Sequence, residues 1–147
     1  MEIETQLFGT QQVQREQILH FPTGVIGHED DHQWMLLADE QQSALAWLQS
    51  LSTPPTSLPV ISPRRFFADY QVCLDSPLLK TLHLSPQDQL YVLAIVSHVQ
   101  SSLTANLRAP IVLNVTRQLG EQVITIDPQP VQRAIQGATT ESFRKIA

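Results

Sequence analysis

Short runs of branched and aromatic residues recur about every ten positions along this chain, each stopped by Gly, Pro, Asn or Asp, and that spacing predicts a compact antiparallel β fold. Ile3 to Phe8 reaches Gly9-Thr10 and the pattern resumes at Val13, which reads as a hairpin. Ile18 to Phe21 is a strand halted by Pro22, Trp34 to Leu37 a buried strand, and Leu45 to Leu51 an alternating one. Leu58 to Ile61 carries Pro59, which cannot donate to a ladder and places the run at an edge or an end. Tyr70 to Leu74 alternates again, and Cys73 within it reads as a core residue. Gln89 to Val99 is nearly continuous in apolar residues and reads as the central, most buried strand. Ile111 to Val115 and Gln122 to Ile126 should pair around a loop at Thr116 to Gly120, with the glycine at the position where φ turns positive.

Helix is the minority. Asp75 or Ser76 can cap a short one, Pro77 suits its first turn, and Leu78, Leu79, Leu82 and Leu84 recur near helical spacing before Ser85-Pro86 ends it. It should lie over one mouth of the sheet. The fold class is therefore mainly β: a small, partly open antiparallel β-barrel with one or two short capping helices. At 147 residues the chain is the size of one domain with one core. Residues 1–128 form that domain, and 129–147 a peripheral tail, either helical or disordered.

A net charge of -5 without a basic stripe argues against direct nucleic-acid binding, and a basic protein partner suits such a surface better. One cysteine rules out an internal disulfide, the charged start Met1-Glu2-Ile3-Glu4 is unlike a signal peptide, and no run approaches the ~18 apolar residues of a membrane span. A cytoplasmic protein, monomeric when free, is the expectation.

Catalytic signatures are absent: no nucleophile elbow, zincin motif, phosphate loop or dinucleotide fingerprint occurs, and no cofactor is expected. His28-Glu29-Asp30-Asp31-His32 is the one cluster of metal-type ligands, and on a helix its two histidines would share a face. The preceding Pro22-Thr23-Gly24-Val25-Ile26-Gly27 argues for a loop instead, hence a solvated acidic turn and no metal site. Arg64-Arg65-Phe66-Phe67 has the elements of a base-stacking groove, but one dipeptide of each kind reads as structure, with one phenylalanine inward and its neighbour available to an exposed patch.

Thr104 to Asn114 sets polar groups and a proline against a strand-like run, which is recognition chemistry without a nucleophile or base. Leu107 and Pro110 offer apolar contact, Asn106 offers two donors and an acceptor, and Arg108 is a lone cation. The plainer reading makes Asn106 a turn residue and Pro110 an edge guard; the sharper one makes the segment an edge that accepts a partner.

Together with Ile3-Glu4-Thr5, Phe8-Gly9, His20-Phe21-Pro22-Thr23-Gly24, Gly27, Glu29, Trp47-Leu48-Gln49-Ser50 and Gly120-Glu121-Gln122-Val123-Ile124, the block Thr104-Ala105-Asn106-Leu107 with Ala109-Pro110-Ile111 resembles the bacterial flagellar assembly factor FliW family from Ile3 to about Ile126. His28 stands where that family usually has Phe, and Pro59 interrupts a more regular apolar strand. The resemblance implies a small β-barrel that is not an enzyme. It also implies two partners: cytoplasmic flagellin, and the RNA-binding translational repressor CsrA, which the factor antagonises until new flagellin competes for it. The contact residues it suggests are Phe21, Gly24 and Glu29 from the first block and Asn106, Leu107, Arg108 and Pro110 from the second, as adjacent rims of one surface. Rival readings are a metal-dependent enzyme using His28 and His32, and a structural subunit that forms a homo-oligomer through its edge.

Overall fold

The computed structural model describes residues 1–53, 55–73, 76–99 and 102–135. Leu74, the Asp75 expected as a helix cap, and residues 136–147 of the expected tail lie outside the described residues. The strands are β1 (Glu2–Thr5), β2 (Gly9–Gln12), β3 (Leu19–His20), β4 (Gln33–Ala38), β5 (Leu45–Ser50), β6 (Ser57–Ile61), β7 (Leu90–Val99), β8 (Ser102–Ala105), β9 (Ile111–Asn114), β10 (Leu119–Gln122) and β11 (Arg133–Ala134). One α-helix, α1 (Ser76–Thr81), and two 3-10 turns, at Arg15–Gln17 and Pro63–Arg65, complete the elements of the described residues. No helix of the described residues is long and apolar enough to cross a membrane.

Seven strands close a ring in the order β7-β6-β5-β4-β3-β10-β9, because β7 also pairs with β9. The mainly β barrel expected from the strand spacing is thus present, and its ladder is antiparallel except where β3 runs parallel to β10 at His20 and Leu119. β7 bonds β6, β8 and β9 in turn, which is why it is long. It is not the most buried element, since both its ends are exposed; all four residues of β9 are buried instead.

Alternation separates an inside from an outside. Leu19, Trp34, Leu48, Val60, Leu93, Ile111 and Leu113 come from six different strands yet share one cluster, which only the barrel interior permits. Leu45, Trp47, Ile61, Ala94 and Val96 face outward and are covered by Leu103, Ala105, Phe67, Tyr70, Leu107 and Ile135. The β1–β2 hairpin covers Met35 with Ile3 and Val13, and Leu82 covers Val112 and Val123. At about 1.5–3 kcal/mol for each fully buried side chain, these covers are as much a part of the fold as the interior.

Several local expectations shift. The first hairpin turns at residues 6–8, one step early, with Thr5 Oγ1 accepting from Phe8 N at 2.9 Å and donating to Gly9 O at 2.9 Å. The β9–β10 pair forms, but β10 begins at Leu119, the positive φ of 58° falls on Gln118, and Gly120 lies within the strand. There a Cβ would overlap the Phe21 ring, standing 2.5 Å from Cε1, so glycine is required by packing and not by the turn. Tyr70 to Cys73 forms no strand, and Cys73 is exposed. Pro63 starts a 3-10 turn at that corner, so strand alternation does not apply to Phe66 and Phe67; both pack on the outer core, with the Arg133 guanidinium 4.3 Å from the Phe67 ring centre. Pro59 sits in a strand bonded to β5 throughout and to β7 only from Val60 onward, an edge at its first half alone. The start of the expected tail runs against the barrel, with Pro130 O accepting Leu107 N at 3.0 Å and Ile135 buried beside Leu103.

Candidate partner-binding surface

The chain leaving β3 folds into a tight loop because glycine allows it. Gly24 has φ of 71°, and a Cβ on it would stand 2.6 Å from Glu29 Cα, so the loop closes on itself at this point. Gly24 N donates to Phe21 O at 3.0 Å, His28 N to Val25 O at 2.6 Å, and Phe21 N to His32 O at 2.8 Å. Phe21 itself points into the barrel, 6.3 Å edge-on to Trp34. Glu29 is exposed, and the Gly27 N–H that it accepts at 3.0 Å holds its carboxyl below the ordinary value.

The five residues from His28 to Asp31 and His32 scatter. The His28 ring packs 6.0 Å edge-on to Trp34, a role that an aromatic residue would fill, and His32 Nδ1 lies 3.0 Å from Phe21 O. Asp31 is buried and accepts from Ser50 Oγ at 3.2 Å and Thr53 Oγ1 at 3.0 Å, so this corner of the turn is not solvated. Among the described residues no three His, Cys, Asp or Glu side chains gather as a metal site would need.

In the second block, Asn106 Oδ1 accepts the N–H groups of Arg108 at 3.1 Å and Ala109 at 3.0 Å, closing the turn with its own side chain. Leu107, expected to offer apolar contact, is wholly buried, and its carbonyl accepts Tyr70 Oη at 2.7 Å. Pro110 is buried too, with its carbonyl taken by Val123 N at 3.0 Å. Arg108 is exposed. Of the seven residues singled out in the sequence, Phe21, Gly24, Leu107 and Pro110 are therefore framework, while Glu29, Arg108 and the half-buried Asn106 reach solvent.

The two blocks do meet. Gln122 Oε1 accepts Ile26 N at 2.7 Å and its Nε2 donates to Ala109 O at 3.0 Å, while Thr23 Oγ1 donates to Glu121 at 2.7 Å. Beyond Gln122 the chain continues the ladder, Thr125 N reaching Arg108 O at 2.9 Å. This buries Val123 and Thr125 and turns Ile124 and Ile126 outward, 61% and 70% exposed; Ile26, whose N–H is held by Gln122 of the same segment, is 59% exposed. These exposed isoleucines, a strip carried by the loop of Glu29 and the segment bonded to Arg108, are an apolar feature that the sequence reading of Leu107 and Pro110 missed. Its signal was in the sequence: in Val123-Ile124-Thr125-Ile126 the face opposite Val123 is made of isoleucine, which a solvated face has no reason to be.

Comparison with known proteins finds the FliW protein family matching residues 2–134. The chain is 32% identical over 127 residues to a flagellar assembly factor FliW of Caldanaerobacter subterraneus subsp. tengcongensis, covering 84% of this chain and 85% of that one. It is 35% identical over 126 residues to one of Geobacillus sp., covering 84% and 87%. A crystal structure of the flagellar assembly factor FliW superposes with a TM-score of 0.86 at 29% identity, over 92% of this chain and 96% of that one.

Proposed function

The chain belongs to the FliW family of flagellar assembly factors, and from that premise we propose that it is a cytoplasmic, non-enzymatic factor that binds flagellin and antagonises CsrA. The observation that carries this reading is the isoleucine strip of Ile26, Ile124 and Ile126, held on a frame in which Gln122 bonds Ile26 N and Ala109 O. Exposed apolar residues on a hydrogen-bonded frame suit a protein partner. An acidic chain also suits an antagonist of an RNA-binding protein, because its field attracts a basic surface and repels RNA from whatever it covers. In this scheme free factor removes CsrA from flagellin messages, and newly made flagellin displaces CsrA.

Ile124→Asp tests the surface. The side chain is exposed, so the melting temperature should stay within the error of the wild type, while recovery of both flagellin and CsrA in pull-downs falls on the order of tenfold. Undiminished binding would remove the strip from the reading. Wild-type protein that retains neither partner from its own cells would remove the function.

A further inference from the structure

β6 and β7 pair only at Val60 with Ile95 and Ile61 with Ala94. The same register would set Pro63 against Val92, but Pro63 has no N–H and begins the 3-10 turn, so the ladder stops there. β7 runs on alone past that point, bonded to β9 on its other side. Gln89 O accepts Val115 N at 2.9 Å, and the antiparallel alternation from that bond turns the N–H and C=O of Leu90 and Val92 away from β9, toward the gap. Beside this open edge is a cavity of about 800 Å³, within the size range of ligand sites and lined largely by apolar groups, Leu36, Tyr70, Val72, Tyr91 and Leu93 among them. Arg64 stands at its rim; its Nε donates to Tyr70 O at 3.0 Å, and its terminal nitrogens have no partner among the described residues.

We propose that the gap between β6 and β7 is a second binding site, which takes an extended apolar segment of another protein carrying a carboxylate. Main-chain bonds to Leu90 and Val92 would add that segment as a strand alongside β7, in line with β6 past its end at Ile61, alternate apolar side chains would enter the cavity, and the carboxylate would meet Arg64. Charge chooses the acid: in a chain of net charge -5 the cavity is fringed by a cation with a free fork. β11 runs antiparallel to β8, from Ala105 toward Leu103, so at Ile135, the last described residue, the chain points away from the Leu90 end of β7. The cavity lining shares no residue with the isoleucine strip, and the proposal does not depend on the strip's assignment.

The probe is the acetylated pentapeptide Val-Asp-Val-Phe-Val, titrated into full-length ¹⁵N-labelled protein. The expected result is saturable shifts of the Leu90 and Val92 amides, affinity on the order of tenfold weaker for the peptide with Lys in place of Asp, and reversal of that preference in Arg64→Glu. N-methylation of alternate peptide bonds should abolish binding. Absence of shifts at Leu90 and Val92, equal affinity for the two peptides, or shifts that track protein concentration without peptide would overturn the proposal, the last by assigning the edge to a second copy. Arg64→Glu should still retain flagellin and CsrA, and Ile124→Asp should still bind the pentapeptide; loss of peptide binding in Ile124→Asp would also overturn it.

Discussion

The isoleucine strip and the β6–β7 gap are incomplete in opposite ways. Around the strip the flanking main chain is tied down, Ile26 N and Ala109 O by the Gln122 side chain and Thr125 N by Arg108 O, and what stands out to a partner is exposed apolar side chains. In the gap the side chains already have a wall to pack on, and main-chain groups of Leu90 and Val92 are left over. A surface of the first kind reads a partner by shape and residue identity. One of the second kind holds any strand that fits and leaves selection to a charge at its end.

The largest way to break this contrast is Leu107→Asp. If Leu107 is framework, burying a carboxylate in the outer core costs about 4 kcal/mol or more and the urea midpoint collapses; a variant of native stability that binds poorly would return Leu107 to the surface. Next is Gly120→Ala, which drives a methyl into the Phe21 ring and should cost about 1–3 kcal/mol, part of it recovered by adding Phe21→Leu. Asn106→Ala orphans two N–H groups for about 1–2 kcal/mol; a loss of partner binding larger than that stability loss would make Asn106 a contact as well as a turn.

The smallest effect joins the two regions. Tyr70 lines the gap while its hydroxyl donates to Leu107 O, and burial first, then the charge of Asp127, pushes its pKa up to about 12. A pKa raised on folding means stability that is complete below pH 10 and declines as pH rises toward 12. Tyr70→Phe should flatten that alkaline decline in melting curves. Acid acts elsewhere: bonds from Asn114, Ser85 and Arg117 hold Asp88 at about 2, so its contribution should fade only as pH drops below 3.8 toward 2.

Strand existence was legible because alternation and turn residues act locally, and the family resemblance extends over nearly all of it. Register was less so. The glycine of Leu119-Gly120 looks like turn chemistry, yet its neighbour in space is Phe21, nearly a hundred residues away in the chain, and no local pattern carries that contact. Cys73 and Val72 alternate like a strand, but Pro63 has already diverted the chain out of the ladder. The site was half legible for a related reason: Leu107 and Pro110 stand in a distinctive segment, but whether a distinctive residue supports a surface or forms it depends on what covers it. Tyr70 and Pro130 do the covering here.

The bonds from Thr23 to Glu121, from Ile26 to Gln122 and from Gln118 to Ile18 span 98, 96 and 100 residues. That seam, where β3 meets β10, is the junction of the ring that is most distant in sequence, and loop-closure entropy makes such contacts slow to form. During synthesis it cannot form until residues 118–122 have cleared the ribosome. The isoleucine strip straddles the same seam, so a chain still being made, or one cut short before Gln122, has the first rim without the second and should fail to retain either of the two proposed partners.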